Sequence, residues 1–216
     1  MATRQSSLGL RERESETTRR TILEATEAIL AARGEEALSI REVCARSRVT
    51  APTIYHHFGD KAALIDRVVD ACFAEFDRTL RGRAAPLDPV EALRSGFDRY
   101  VAYGLAHPTH YRLMFSRHRS RPTPAGLASY DGLRRRVAAI AAVGRLRAPI
   151  EDATAAFWSA VHGVTSLMIA GFWQPGAPPA RLVRDAMIAQ LTRPAPLRRP
   201  SRPPPPRGSE DPHDNP

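Results

Sequence analysis

Between Thr50 and Lys61 the chain reads Thr-Ala-Pro-Thr-Ile-Tyr-His-His-Phe-Gly-Asp-Lys, a run that mixes apolar, small polar and imidazole groups at helical spacing. At 100° per residue, Ile54 and Phe58 point one way, Pro52, Thr53 and His56 point the other, and Tyr55 lies on a flank. An outward face this small and polar suits a nucleic-acid groove. Ala51 and Pro52 fit thymine methyls, and His56 fits a base acceptor. Arg19, Arg20 and Arg41, near the starts of two upstream helices, are candidates for phosphate contacts.

The formal net charge of +9 and pI of about 10.6 suit a polyanionic partner, through phosphate neutralisation and counterion release. An arginine-rich composition gives the same sum without any such role, so the placement of the charge carries the argument rather than its total. Other chemistries lack their residues. His56 and His57 are adjacent and diverge by about 100° on a helix, and Pro108 interrupts His107 and His110, leaving a weak ligand pair. No HExxH, GxSxG, GxGxxG or phosphate-loop pattern occurs, so no enzyme, metal or cofactor is expected. Cys44 and Cys72 fall at apolar-periodic positions and read as small core residues.

The elements needed to hold the Thr50–Lys61 run can be read on either side of it. At 216 residues, with 43% hydrophobic and only 6% aromatic residues, the chain suits an all-α protein with a small head and a larger body. Residues 1–17 lack apolar periodicity and are expected as a mobile arm. A first helix follows a Thr17 or Thr18 cap and stops at Gly34; Ser39-Ile-Arg-Glu42 has capping-box form and opens a second; Thr50 caps the third, with Pro52 in its first turn. A long fourth helix begins near Asp60 and links head to body.

Five further helices are expected: Pro89 to Ala106, a short aromatic one after Pro108, Ala125 to Val143, an apolar one from Glu151 to Phe172, and Pro179 to Thr192. That makes nine helices and no strand. Loops are expected at Arg81–Pro89 and in the Pro-, Ser- and Arg-rich stretch after Phe115. From Arg193 on, proline replaces nearly all apolar residues, so a disordered tail is expected over 193–216. No targeting signal or membrane span is read, and the expected location is the cytoplasm.

The segment SIREVCARSRVTAPTIYHHFGDKAALI resembles the helix-turn-helix of TetR-family regulators, and the resemblance runs over roughly residues 18 to 70. The matching positions are Val43, Cys44 and Val49 in the turn core, Thr53, Ile54, Tyr55, His57 and Phe58 in the recognition helix, and Lys61 and Leu64 opening the fourth. Arg48 departs from the pattern: the family usually has a glycine there, so a slightly reshaped turn is expected. Lys61 is the only lysine in the chain. The resemblance implies that it caps the helix junction and contacts the DNA backbone, and that Tyr55 and His57 lie at the backbone and groove edge. The DNA-contacting set is then Ser39, Arg41, Thr50, Ala51, Pro52, Thr53, Tyr55, His56, His57 and Lys61.

In the body, FWSAVHGVTSLMIAGF and HPTHYRLMF resemble the C-terminal domain of a TetR subgroup marked by a Trp-His-Gly-like signature, here Trp158 with His162-Gly163. The resemblance implies a homodimer whose last two helices form a four-helix bundle, with Ala160, Gly163, Ala170 and Gly171 permitting close approach. It also implies a double-stranded, near-palindromic operator and repression released by a small-molecule effector. Phe97, Tyr100, Tyr103, Tyr111, Met114, Phe115, Trp158, His162, Met168 and Phe172 are the candidate walls of a partly apolar pocket. Residues 18–64 would form the DNA-binding domain and 65–192 the ligand-binding and dimerisation domain. A ligand-independent or protein-regulated DNA binder of the same fold remains an alternative.

Overall fold

The computed structural model describes residues 2–82, 88–115, 122–174 and 178–194. Among them the chain forms nine helices in order: α1 (Ala2–Arg33), α2 (Ile40–Ser47), α3 (Ala51–Phe58), α4 (Lys61–Arg81), α5 (Pro89–Ala106), α6 (Pro108–Met114), α7 (Pro124–Ala142), α8 (Ile150–Ile169) and α9 (Pro178–Leu191). The expected all-α architecture holds, with one isolated bridge between Leu146 and Thr192. The expected loops lie partly outside the described residues, at 83–87 and 116–121, and so does the tail from 195 on.

The amino-terminal arm is corrected. Instead of starting at a threonine cap, α1 runs back to Ala2. The hydroxyls of Thr17, Thr18 and Thr21 donate to the carbonyls of Arg13, Glu14 and Thr17, each four residues back, and so sit inside the helix. Apolar periodicity, on which the expectation rested, is not required by a segment rich in Arg and Glu, because these straight-chain residues favour helix when solvated. Gly34 ends α1 with φ +77°, as anticipated.

α1, α2 and α3 close over a small core of Ile22, Ile29, Leu30, Leu38, Val43, Ile54, Phe58 and Leu64, all buried. α4 starts at an Asp60 cap, whose carboxylate accepts from the Ala63 N–H at 2.7 Å. Its buried stripe continues from Leu64 through Val68, Val69, Cys72 and Phe73 to Phe76. The helix packs on α1 and α3 in the head and on α5, α6 and α7 in the body. Burial and the nearby carboxylates of Glu27 and Glu75 push the Cys72 thiol up to about 12, so it remains a protonated core group; Cys44 is half-buried.

In the body α5 and α8 pack tightly at Gly104, where an added Cβ would overlap the Thr165 methyl. α9 is held to α5 by Arg184 on Asp98 at 2.7 Å and by Arg94 on Asp185. The bridge backbone adds Arg147 N–H to the Leu191 carbonyl at 2.9 Å. Gly104→Ala is expected to destabilise the protein by about 1–3 kcal/mol through overpacking in urea unfolding, and adding Thr165→Ser, which removes the opposing methyl, to recover much of the loss.

Candidate nucleic-acid interface and ligand cavity

Ser39 caps α2 as its sequence implies, with its hydroxyl accepting from the Glu42 N–H at 3.2 Å. The reciprocal half of the capping box is replaced: the Glu42 carboxylate pairs with Arg46 at 3.4 Å and with Arg33. Two guanidinium groups offer it charge-assisted bonds that a neutral backbone N–H does not. At the turn, Arg48 keeps the left-handed geometry itself, with φ 56° and ψ 33°, and is the one non-glycine residue at positive φ among those described. The turn is therefore not reshaped; the arginine bears its strain.

Thr50 occupies the N-cap position of α3, yet its hydroxyl contacts the Thr53 hydroxyl at 2.9 Å and makes no cap bond to the backbone. Pro52 in the first turn has no N–H to satisfy, which lowers the demand for a cap. α3 buries Ile54 and Phe58 and exposes Pro52, Tyr55 and His56, while Ala51, Thr53, His57 and Lys61 are half-buried at its edges. Tyr55 is 46% exposed, so its ring is available rather than packed. Burial, His56 and Arg19 all lower the pKa of His57, favouring a neutral imidazole there. Arg19 stacks over the Phe58 ring at 5.3 Å, Arg20 pairs with Glu24 at 3.8 Å, and Arg41 is exposed. Arg46 on α2 and Arg48 in the turn before α3 are also exposed, and Arg46 is not among the residues the sequence pointed to.

Below the head, α4, α5, α7 and α8 enclose a cavity of about 520 Å³, with the end of α6 at its rim. Of the expected walls, Phe97, Tyr100, Met114, Phe115, Trp158 and His162 line it. Four do not. Tyr111 stands behind His162, its hydroxyl 2.7 Å from Nδ1 and 3.3 Å from the Tyr100 hydroxyl. Tyr103, three residues beyond Tyr100 on α5, turns toward α4 and donates to the Cys72 carbonyl at 3.3 Å. Met168 borders a separate crevice of about 200 Å³ between α5, α8 and α9, and Phe172 is 72% exposed beyond the end of α8. Aromatic content marked these residues, but helical phase decides which wall each one joins.

The sequence reading missed the α4 and α7 walls, including Phe73, Phe76, Asp77, Ser129, Tyr130 and Arg136. Their polar members look like solvated helix surface in a linear sequence. The available signal was glycine inside helices, which is unfavourable without a packing reason. Gly96, Gly126 and Gly132 all line the cavity. A Cβ at Gly96 would lie 3.3 Å from Arg136 Nη1, and one at Gly126 would lie 3.2 Å from the Phe73 ring.

The cavity and head also meet at α6. His110 Nε2 lies 2.6 Å from Glu27 Oε1 on α1, and Nδ1 lies 3.4 Å from Glu75 Oε2 on α4. His107 and His110 stack with ring centroids 5.4 Å apart. No group of three metal-ligating side chains occurs among the described residues.

Comparison with known proteins adds two family matches. Residues 22–68 match the bacterial regulatory proteins of the tetR family, and residues 93–191 match the tetracyclin repressor-like C-terminal domain. An HTH-type transcriptional repressor of Mycobacterium tuberculosis is 36% identical over 84 residues, which are 39% of this chain and 44% of that protein. An HTH-type transcriptional regulator of Mycobacterium bovis matches to the same extent, so the aligned stretch spans less than half of these relatives. Among solved structures, a protein with unknown function from Rhodococcus sp. RHA1 has a TM-score of 0.68 at 26% identity, covering 82% of this chain and 96% of its own. A TetR family transcription regulator from Marinobacter aquaeolei VT8 shares the fold, with a TM-score of 0.68 at 19% identity over 84% of this chain and 98% of its own.

Two measurements test this geometry. Arg48→Gly is expected to raise stability by about 0.5 kcal/mol in urea unfolding, since relief of left-handed strain exceeds the added freedom of the unfolded glycine. Burial lowers the pKa of His162 from its ordinary 6.5. Above that value both folded and unfolded chains carry a neutral imidazole; below it the unfolded chain takes a proton that the folded protein resists, so stability falls as pH falls. His162→Gln is therefore expected to lose less thermal stability than the parent between about pH 7.5 and about pH 5.5, and an equal loss in both would contradict the assignment.

Proposed function

Because the chain belongs to the TetR family of bacterial regulatory proteins, which are DNA-binding transcription regulators rather than enzymes, we propose that it is a dimeric repressor released from a near-palindromic operator by a small, partly apolar ligand. The observation that carries this reading is a single helix, α4, which packs against α3 in the head and whose later turns form a wall of the cavity. In this reading residues 18–64 are the head, 65–192 the body, and α4 crosses the boundary.

Pro52, Thr53 and His56 read base edges from the outward side of α3, with Ala51 at its start. Tyr55, His57, Lys61, Arg41 and the N-termini of α2 and α3, at Ser39 and Thr50, hold phosphates and set the register. One head spans too little DNA to select a site in a genome, so two copies must present their α3 helices to successive major-groove faces, roughly 34 Å or a multiple apart. Leu167, Phe172 and Leu182, at the carboxyl-terminal end of α8 and on α9, leave large apolar groups exposed and support pairing through that surface.

A ligand acts by favouring one head spacing over another, to the extent that it binds the two arrangements differently. α6 offers the route alongside α4: Met114 and Phe115 face the cavity, while His110 on the same helix holds Glu27 of α1. Filling the cavity shifts α6 against α4 and thereby the position of α1 in each head.

Operator selection from a random duplex library is expected to return a symmetric site. On that site, Lys61→Ala should weaken binding to all sequences about equally and reduce the salt dependence by about one charge. Tyr55→Ala should weaken it about tenfold. Both variants should retain their helical content and dimer mass. Unchanged affinity at fixed salt for either would remove that residue from the interface.

A further inference from the structure

The cavity has one charged end. Arg136 enters it from α7, half-buried, and donates from Nη2 to the Leu80 carbonyl at 3.1 Å, the same carbonyl that receives the Arg99 Nε–H at 3.1 Å. Arg81 and Arg135 add positive charge around Arg136, and Asp77 is the carboxylate that offsets it. Asp77 is itself engaged by the Ser129 hydroxyl at 2.7 Å. Among the described residues, no salt bridge within 4 Å neutralises Arg136. Burial disfavours its charged form, but a guanidinium stays protonated, so the cationic end of the cavity is permanent.

Most of the remaining wall is apolar. Phe73, Phe76, Phe97, Phe157 and Trp158 line it, and from Gly126 to Arg136 the α7 wall extends about 15 Å at 1.5 Å per residue. At the far end His162 is held neutral by burial and Tyr100 keeps its proton, so that end supplies hydrogen bonds without charge. Gly96 matters for access, because its missing side chain leaves the space beside Arg136 Nη1 open.

On the reading that this cavity holds the regulating ligand, we propose that the ligand is an elongated apolar monoanion, with its carboxylate seated on Arg136 and its hydrocarbon part along the aromatic walls. A carboxylate there forms a bidentate, charge-assisted pair and relieves the repulsion among the neighbouring guanidinium groups. A neutral ligand of the same shape leaves Arg136 desolvated and unpaired, which is the costly arrangement. Asp77 limits the anion to a single charge and tunes how tightly it is held.

Calorimetric titration of the full chain with decanoate and with 1-decanol separates the two cases. The parent protein is expected to bind decanoate at least about tenfold more tightly than 1-decanol, the scale of one charge-assisted pair. In Arg136→Gln that ratio should fall to about one, whereas Asp77→Asn should tighten decanoate severalfold with little change for 1-decanol. Asp77→Asn keeps the side-chain shape and tests the charge argument even where Arg136→Gln does not fold. Equal or tighter binding of 1-decanol to the parent, or a decanoate preference indifferent to both substitutions, overturns the proposal. If 1-decanol alone binds and releases operator DNA, the ligand-released repressor stands while the anionic ligand falls; if neither probe binds, the elongated anionic ligand falls.

Discussion

The structure depends on the burial of one stripe of α4. Leu64, Ile65, Val68, Val69, Cys72, Phe73 and Phe76 recur at three- and four-residue steps and are all buried. Fully burying each large member contributes roughly 1.5–3 kcal/mol, so sliding α4 against either neighbour group would cost more than a small domain's stability margin. The head and the body are therefore not joined by a linker. They share a rod whose amino-terminal turns belong to the core under α3 and whose carboxyl-terminal turns belong to the cavity wall, and any change at one end must be carried as a rotation or translation of the whole.

That constraint also explains which parts of the fold could be read in the sequence. α5 was legible because proline fits a helix only in its first turn: Pro89 opens α5, and Pro108 opens α6 and so forces α5 to end before it. The two faces of α3 were legible because Ile54 and Phe58 are the apolar pair in an eight-residue helix, and both are buried. α1 was not, since its amino-terminal half is helical without an apolar face and periodicity cannot register it. The cap at Thr50 was misread in its bonding, because an N-cap residue type specifies a position and a nearby Thr53 hydroxyl can take the bond instead.

The cavity was half legible for a related reason. Large aromatic residues are easily nominated as walls, yet Tyr100 and Tyr103 lie on one helix and serve different neighbours. Phe76 touches both rings edge-on, with centroids 5.0 and 5.2 Å away, but only Tyr100 opens onto the cavity. The α7 wall contributes through absent side chains at Gly126 and Gly132 and through Ser129 and Arg136, residue types that usually face water. What makes them internal is the distance between α4 and α7, a tertiary quantity that a single helix's pattern does not encode.

α4 is the first attachment of head to body. A second, His110 on α6 to Glu27 on α1, originates four residues from a cavity wall at Met114. A hydrogen bond to a carboxylate contributes up to about 1.5–3 kcal/mol, and the partial exposure of Glu27 brings this toward about 1 kcal/mol. Couplings between effector and ligand sites typically amount to about 1–3 kcal/mol. On the proposed reading, weakening this one contact in each of two heads is of the size needed to change operator affinity, without melting any helix. A seven-residue helix with one end on the cavity and the other on the head is short enough to be displaced as a unit, which on the proposed reading makes α6 the adjustable joint and α4 the fixed axis.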